Sequence, residues 1–151
     1  MNNLKIKILR NNYEGYTPSD YKINRWAKHS LINRMNSFVV INFFDKKNIE
    51  VLNMKFLKKP YPCNILTFPM KTKLISGEHM LGDIIICPSV VNQESKKFNF
   101  KKDARWAHMI IHSMLHLQGY SHSSKKNRII MEKKEILLMK KLGYKNPYYA
   151  N

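Results

Sequence analysis

The run from His112 to His122 constrains the fold more than any other segment, because it specifies a helix, the helix end and a chain reversal. His112 and His116 are four residues apart. On an α-helix this spacing places two side chains on one face, ~6 Å apart along the axis. Gly119 follows where a helix needs a residue with positive φ in order to end. The reversal can bring His122 back towards the other two histidines.

These three histidines have the spacing expected of a zinc site with three imidazole ligands. Three nitrogen ligands leave one position of a tetrahedral Zn²⁺ ion open, which is typical of catalytic zinc sites. A single histidine on an apolar helix is more often a buried residue with a hydrogen bond, and we prefer this interpretation for His108. For the trio we predict one bound Zn²⁺ ion, with His112, His116 and His122 as its ligands.

The rest of this helix predicts a buried back face. Apolar residues lie at helical spacing on the side opposite the histidines, at Trp106, Ala107, Ile110, Met114 and Leu117. Asp103 precedes them and is predicted to cap the helix. The helix should therefore pack into the core on one side and present imidazoles to a cleft on the other.

A protease is the less favoured alternative for such a histidine pattern. The metzincin motif has the same histidine and glycine spacing, with a glutamate after the first histidine as the general base. Ser113 has that position here, and a serine hydroxyl cannot accept a proton near neutral pH. The sequence identifies no other general base.

The composition points to a polyanionic partner. The 151 residues include 27 Lys and Arg against 10 Asp and Glu, which gives a formal net charge of +17. This excess favours nucleic acid, and the alternative is a lysine-rich composition with no binding role. The length fits one domain, residues 1–151, with its own core.

Two further observations favour the cytoplasm. Cys63 and Cys87 are far apart and have no paired metal-ligand spacing, so neither a disulfide framework nor a thiolate zinc site is predicted. The first ten residues lack the apolar core of a signal peptide, and no stretch approaches ~18 uninterrupted apolar residues. We expect no association with a membrane.

The hydrophobic patterns predict an α+β fold, an about four-stranded mixed sheet with helices packed on it and the metal site on a central, zincin-like helix. The predicted strands are Leu4–Ile8, Phe38–Phe44, Cys63–Pro69 and Leu81–Pro88, the last two each ended by proline. The predicted helices are Tyr21–Asn33, a helix capped by Asp45 that continues to Leu57, Ser89–Lys97, the histidine helix and Lys125–Leu142.

Several of these segments resemble the YbeY family of bacterial ribosomal-RNA maturation endoribonucleases. The family signature reads His-Gly-x-Leu-His-Leu-x-Gly-Tyr-Asp-His, and this chain matches it at His112, Leu115, His116, Leu117, Gly119, Tyr120 and His122. The strands Asn64–Pro69 and Leu81–Ile84 are also similar to family strands. The last helix shares Met131-Glu132, Glu135 and Leu142-Gly143 with the family pattern.

The chain departs from the family pattern at three positions. Ser113 replaces a glycine, which a helix tolerates. Ser121 replaces the aspartate before the third histidine and so removes a charge that could orient a ligand. Leu57 stands where the family typically has an arginine thought to engage phosphate, and leucine cannot do so. Lys58 and Lys59 are close enough in sequence to supply a point charge instead.

The resemblance implies a zinc-dependent, single-strand-specific endoribonuclease that acts in 16S rRNA 3′-end maturation and in ribosome quality control. It implies one Zn²⁺ ion and a cytoplasmic location, and we predict that Lys58, Lys59 and Arg105 contact the RNA. The expected partners are the small ribosomal subunit and, further, ribosomal proteins or an assembly GTPase. The main alternative is a non-catalytic, zinc-containing factor for ribosome assembly that binds RNA.

Overall fold

A computed structural model describes residues 3–32 and 35–149. Within these ranges, one sheet contains the strands β1 (Leu4–Arg10), β2 (Ser37–Phe43), β3 (Ile65–Lys73) and β4 (His79–Ile86). Their order is β1-β2-β4-β3, with β1, β2 and β4 parallel and β3 antiparallel to β4. The sheet is therefore mixed, as predicted.

Five helices pack on this sheet within the described ranges, namely α1 (Asp20–His29), α2 (Lys46–Leu57), α3 (Pro88–Lys97), α4 (Lys102–Leu117) and α5 (Lys125–Lys141). The predicted α+β class is confirmed. Side chains of Ser19 and Asp45 cap α1 and α2 by accepting from the backbone amides of Lys22 and Asn48. None of the described helices has the length and apolar character needed to cross a bilayer.

The first helix is shorter than predicted. It ends at His29, because the Ser30 hydroxyl donates to the carbonyl of Trp26 at 2.8 Å and the Ser30 amide bonds to the carbonyl of Ala27. The apolar pattern in the sequence continues to Leu31 because this residue is buried, at 6% exposure, although it lies after the end of the helix. Asn33, the predicted end, lies outside the described residues.

The prediction that proline ends the third strand was wrong. β3 continues through Pro69 to Lys73, and its pairing with β4 is irregular between Pro69 and Thr72. β3 is an edge strand, where the missing amide of a proline interrupts no second ladder. β4 ends at Ile86, and Pro88 then begins α3.

Helix α4 occupies the centre of the molecule. It contacts α1, α3, α5 and the strands β3 and β4. Its predicted back face is confirmed, because each of its members is fully buried: Trp106, Ala107, Ile110, Met114 and Leu117. The position of α4 is therefore set by the core, and its other face carries the histidines.

One glycine allows a close approach between the sheet and α4. Gly82 has φ +147°, and a Cβ atom there would lie 2.2 Å from the backbone oxygen of Phe68 and 2.8 Å from Cδ2 of Leu117. It lies beside an irregularity in the pairing of β2 with β4. A side chain at this position would push β3 or the end of α4 away.

Asp103 does not cap α4, contrary to the sequence prediction. The N-cap is Lys101, whose side chain makes no capping bond, and Asp103 lies within the first turn. Its carboxylate accepts from Lys22 Nζ at 2.6 Å and from the Tyr16 hydroxyl. Burial acts to raise the pKa of Asp103, but these two hydrogen bonds outweigh it and lower the pKa. Asp103 thus ties α4 to α1.

Candidate metal centre

The end of α4 forms the reversal that the sequence predicts. Gly119 has φ +104°. Its amide donates to the carbonyl of His116 at 3.1 Å, and the amide of Tyr120 donates to the carbonyl of Leu115 at 3.0 Å. These two bonds are those of a Schellman motif, which satisfies the last carbonyls of a helix and redirects the chain. The redirected chain leads back to His122.

The structure brings the three histidines of the motif together. The ring centroids are 4.6 Å apart for His112 and His116, 4.9 Å for His112 and His122, and 4.7 Å for His116 and His122. One nitrogen from each ring lies within 4.8 Å of the others. Tetrahedral ligation needs nitrogens ~3.3 Å apart, given metal–nitrogen bonds of ~2.0 Å. The trio therefore fits a single metal ion.

The electrostatic environment keeps two of these imidazoles neutral. Burial, with contributions from His112 and His122, lowers the pKa of His116 to about 4. Burial also lowers the pKa of His122. A neutral imidazole has the lone pair that a metal needs, so these donors are ready for a cation at neutral pH.

A buried carboxylate lies directly behind the trio. The Glu135 side chain is fully buried, and it interacts with Nε2 of His108, Nδ1 of His112 and the hydroxyl of Tyr148. Burial acts to raise the pKa of Glu135, but the hydrogen bonds from His108 and His112 outweigh it and lower the pKa to about 2. His108 is 4% exposed, in agreement with its interpretation as a buried residue.

Sequence reasoning assigned no role to Glu135, although one signal was present. Glu135 lies between Met131 and Leu138 on the apolar line of α5, and all three residues are buried. A charged residue on a buried helix face needs a partner. Tyr148 has no comparable signal, because only the tertiary structure brings it to the carboxylate.

Two residues of the trio, His112 and His122, line a cleft of about 310 Å³, and Tyr148 is among its other lining residues. Arg128 and Glu132, from α5, also line it, with Arg128 Nε 3.8 Å from a Glu132 oxygen. The Arg128 side chain is 56% exposed. The sequence gives no signal for Arg128, because an exposed arginine in the first turn of a helix cannot be distinguished from other solvated basic residues.

Arg105, a predicted RNA contact, lies in the wall of the same cleft. Its guanidinium donates to Glu94 at 2.9 Å and to Nδ1 of His108 at 3.3 Å, and its side chain is only 11% exposed. Asn64 donates to Glu94 at 3.0 Å from the start of β3. A separate cavity of about 420 Å³ lies against Arg105 and is lined by none of the three histidines.

The other predicted RNA contacts are not brought to the cleft. Lys58 has φ +58° and forms the C-cap of α2, where its Nζ donates to the carbonyl of Lys55 at 3.4 Å. Lys59 follows it and is exposed, and neither residue lines the cleft. Leu57 is 51% exposed at the end of α2.

Neither of the two serines that depart from the family motif is among the residues that line the cleft. Ser113 is fully buried, and its hydroxyl has no hydrogen-bond partner among the described residues. It cannot replace the glutamate of a metzincin. The Ser121 hydroxyl interacts with that of Ser123 at 3.0 Å.

Comparison with known sequences gives a consistent family. The sequence model of the family described as Endoribonuclease YbeY matches residues 11–143. A relative from Wigglesworthia glossinidia brevipalpis, named endoribonuclease YbeY, is 42% identical over 135 residues, which cover 88% of this chain and 89% of the relative. A second, from Buchnera aphidicola subsp. Schizaphis graminum and with the same name, is 35% identical over 150 residues, which cover 98% and 95%.

The fold is also found in a solved structure. The solution structure of a protein from Thermotoga maritima superimposes with a TM-score of 0.54 at 23% identity, and the match covers 92% of each chain. This likeness concerns the fold, whereas the match to the family model runs from residue 11, after β1, to residue 143, after α5, and includes the histidine motif. The chain belongs to the endoribonuclease YbeY family.

Proposed function

We propose that this chain is a zinc-dependent endoribonuclease that cuts single-stranded RNA, and that its residues form one domain. Its substrate is the 3′ end of 16S rRNA, and it acts in the cytoplasm in ribosome maturation and quality control. The observation that carries the proposal is the convergence of three imidazoles beside Arg128 in a cleft, in a member of an endoribonuclease family.

The residues of the cleft divide the chemistry between them. His112, His116 and His122 hold the ion, and Zn²⁺ when bound supplies a Lewis acid with an open position. Arg128 binds the phosphate, since its exposed guanidinium can pair with two phosphate oxygens. Glu132 is the one carboxylate among the described residues that line the cleft, and we assign to it the transfer of a proton during cleavage.

The protein surface and the partners follow from the same proposal. The net charge of +17 favours a long polyanion over a small substrate. Single-stranded RNA is the substrate that the resemblance to the family implies, and its unpaired bases are free to contact the residues of the cleft. The small ribosomal subunit presents such RNA, with ribosomal proteins or an assembly GTPase as further partners.

The main test is a cleavage assay on matched single-stranded and duplex RNA, with and without a chelator. We expect cleavage of the single strand alone, lost with chelator and restored by zinc. His116→Ala should lose both zinc and cleavage. The control is His79→Ala, a histidine at the start of β4 that does not line the cleft. Zinc content that is unchanged in His116→Ala would show that the assigned site is wrong.

A second variant tests the assignment of Glu132. Glu132→Gln should slow cleavage by roughly 10²- to 10⁴-fold, the usual contribution of a proton-transferring side chain. Its zinc content should equal that of the unmodified chain, because Glu132 is not one of the three ligands. Unchanged cleavage would remove Glu132 from the reaction.

A non-catalytic assembly factor is the second candidate. The observation that favours it is the exposed Leu57 in place of the family's arginine, together with the absence of an aspartate at Ser121. In this case the protein would bind single-stranded RNA in the presence of zinc or other divalent metals and cleave none of it. Hydrolysis of casein without hydrolysis of RNA would instead support a protease.

A further inference from the structure

The buried carboxylate of Glu135 accepts hydrogen bonds from three sides. One oxygen interacts with Nε2 of His108 and, at 3.3 Å, with Nδ1 of His112. The other oxygen accepts from the Tyr148 hydroxyl at 2.9 Å. Because the side chain is fully buried, these groups replace the water that would otherwise solvate it.

The position of the proton on His108 follows from its other neighbour. Nδ1 of His108 lies 3.3 Å from Nη1 of Arg105. A guanidinium has donors and no acceptor, so Nδ1 must be the acceptor in this contact. In a neutral ring the proton then lies on Nε2, which donates to Glu135. His108 is therefore fixed between one donor and one acceptor.

The same reasoning applies to His112. Its Nδ1 faces a carboxylate that also receives hydrogen bonds from His108 and Tyr148, and a carboxylate only accepts. Nδ1 must therefore carry the proton, which leaves the lone pair on Nε2. A ring that donates from one nitrogen to a carboxylate and ligates through the other is a common arrangement behind metal ions.

We propose that Glu135 is a positioning residue, which holds His112 with its proton on Nδ1 so that Nε2 is presented to the cation, and that Tyr148 completes this arrangement. The inference rests on the proposed metal site but not on RNA cleavage. Glu135 acts through His112 and is not itself a ligand. His108 Nε2 has its proton in this network and has no lone pair for a second ion.

The test measures zinc affinity by competition with a chelator, in a graded series of variants. Glu135→Leu keeps a similar volume without acceptors and should weaken zinc binding by roughly 10- to 100-fold. Glu135→Gln retains one acceptor oxygen, so its zinc affinity should lie between those of Glu135→Leu and the unmodified chain. Tyr148→Phe removes one hydrogen bond and should weaken binding by roughly two- to tenfold.

The matched controls are exposed residues of the same types. Glu14→Gln removes an exposed carboxylate, and Tyr149→Phe alters a tyrosine that is 73% exposed beside Tyr148. Both should bind zinc as the unmodified chain does. Thermal unfolding of each zinc-free variant shows whether it is folded. If Glu135→Leu is unfolded, the zinc affinities of Glu135→Gln and Tyr148→Phe test the role of Glu135.

A spectroscopic measurement reports the proton directly. In the zinc-free protein, long-range ¹H–¹⁵N correlation spectra of labelled histidine should show the His112 proton on Nδ1, and in Glu135→Leu the proton should move largely to Nε2. A His112 proton on Nε2 in the unmodified chain would overturn the inference. The measurement separates positioning from a purely structural role, because a structural role for Glu135 is compatible with the proton on either nitrogen of His112.

The outcomes separate this inference from the proposed function. Failure of the unmodified chain to bind zinc would overturn both. One bound ion with equal affinity in folded Glu135→Leu would overturn only the role of Glu135. Two ions in the unmodified chain and one in Glu135→Leu would make Glu135 a ligand, which also contradicts the inference.

Discussion

Among single residues, His116 makes the stability of the zinc-free protein depend on pH. Its pKa is about 4 in the folded chain against 6.5 for an ordinary histidine, so the unfolded chain binds more protons between these values. The free energy of unfolding should therefore fall as the pH is lowered from about 6.5 towards 4. Burial shifts the pKa values of His108 and His122 in the same direction.

Denaturant titrations of the zinc-free protein at several pH values measure this dependence. His116→Ala is the comparison variant, because it removes the imidazole whose pKa is lowered to about 4 and should therefore reduce the dependence of stability on pH. A stability that rises on acidification through this window would contradict the burial of neutral imidazoles. Bound zinc should increase the dependence, since protons compete with the metal for the same lone pairs.

Ser113 offers a prediction about the core. Its buried hydroxyl has no partner among the described residues, and such a group costs free energy in the folded state. Ser113→Ala should therefore raise the free energy of unfolding by about 1 kcal/mol, with help from the higher helix propensity of alanine. Chemical denaturation measures the change.

The matched control for this substitution is Ser95→Ala. Ser95 is also buried, at 2% exposure, but its hydroxyl donates to the carbonyl of Asn92 at 2.7 Å. The free energy of unfolding of this variant should be lower by about 1 kcal/mol. Equal losses for both serines would mean that the Ser113 hydroxyl has a partner.

At the scale of helices and strands, the contact between β4, β3 and α4 depends on Gly82. Gly82→Ala combines a positive φ with a Cβ only 2.2 Å from a backbone oxygen, so it should lower the free energy of unfolding by more than about 2 kcal/mol. Gly77→Ala is the control, because φ there is +91° and nothing lies within 4 Å of the added Cβ. The free energy of unfolding of Gly77→Ala should be lower by only about 1 kcal/mol.

The same scale shows which elements the sequence can predict. Caps at Ser19 and Asp45 and glycines after α4 and α5 are local signals, because the bonds that they make are to neighbouring residues. The course of β3 through Pro69 is not local, since the effect of a proline depends on whether its strand is at an edge. The same holds for Asp103, whose partners are 81 and 87 residues away.

For the whole molecule, charge predicts how RNA binding depends on salt. Each phosphate neutralised on a single strand contributes roughly −0.7 to the slope of log K against log salt concentration. Arg128→Ala should reduce the slope by about that amount and weaken binding to all sequences alike. Lys7→Ala is the control, because β1 is the edge of the sheet opposite β3, which begins beside the cleft.

Binding isotherms at several salt concentrations give the slope for the unmodified chain and for each variant. The double variant of Lys58 and Lys59 to alanine tests the two lysines that the sequence predicts to contact RNA. A slope reduced by about 1.4 would mean that both contact phosphate, and an unchanged slope would exclude them. An affinity that does not depend on salt would contradict a polyanionic partner.

The candidate site shows how far sequence can specify an assembly of distant residues. His112, His116 and His122 lie on one helix and its reversal, so spacing alone predicts their meeting. Glu135 and Tyr148 reach the site from a second helix and the segment after it, and only packing decides which of their faces points inwards. The same is true of Arg128.

The central position of α4 has a consequence for how RNA preference can change. The helix that carries His112 and His116 is also the most deeply packed element, so a replacement within it alters folding and reactivity together. Asn64 and Arg128, in contrast, line the cleft from a strand start and a solvated helix turn. Of these two residues, Asn64 is the one at which selectivity for one transcript over another can be engineered, because Arg128 is assigned to phosphate, and phosphate contacts carry no sequence information.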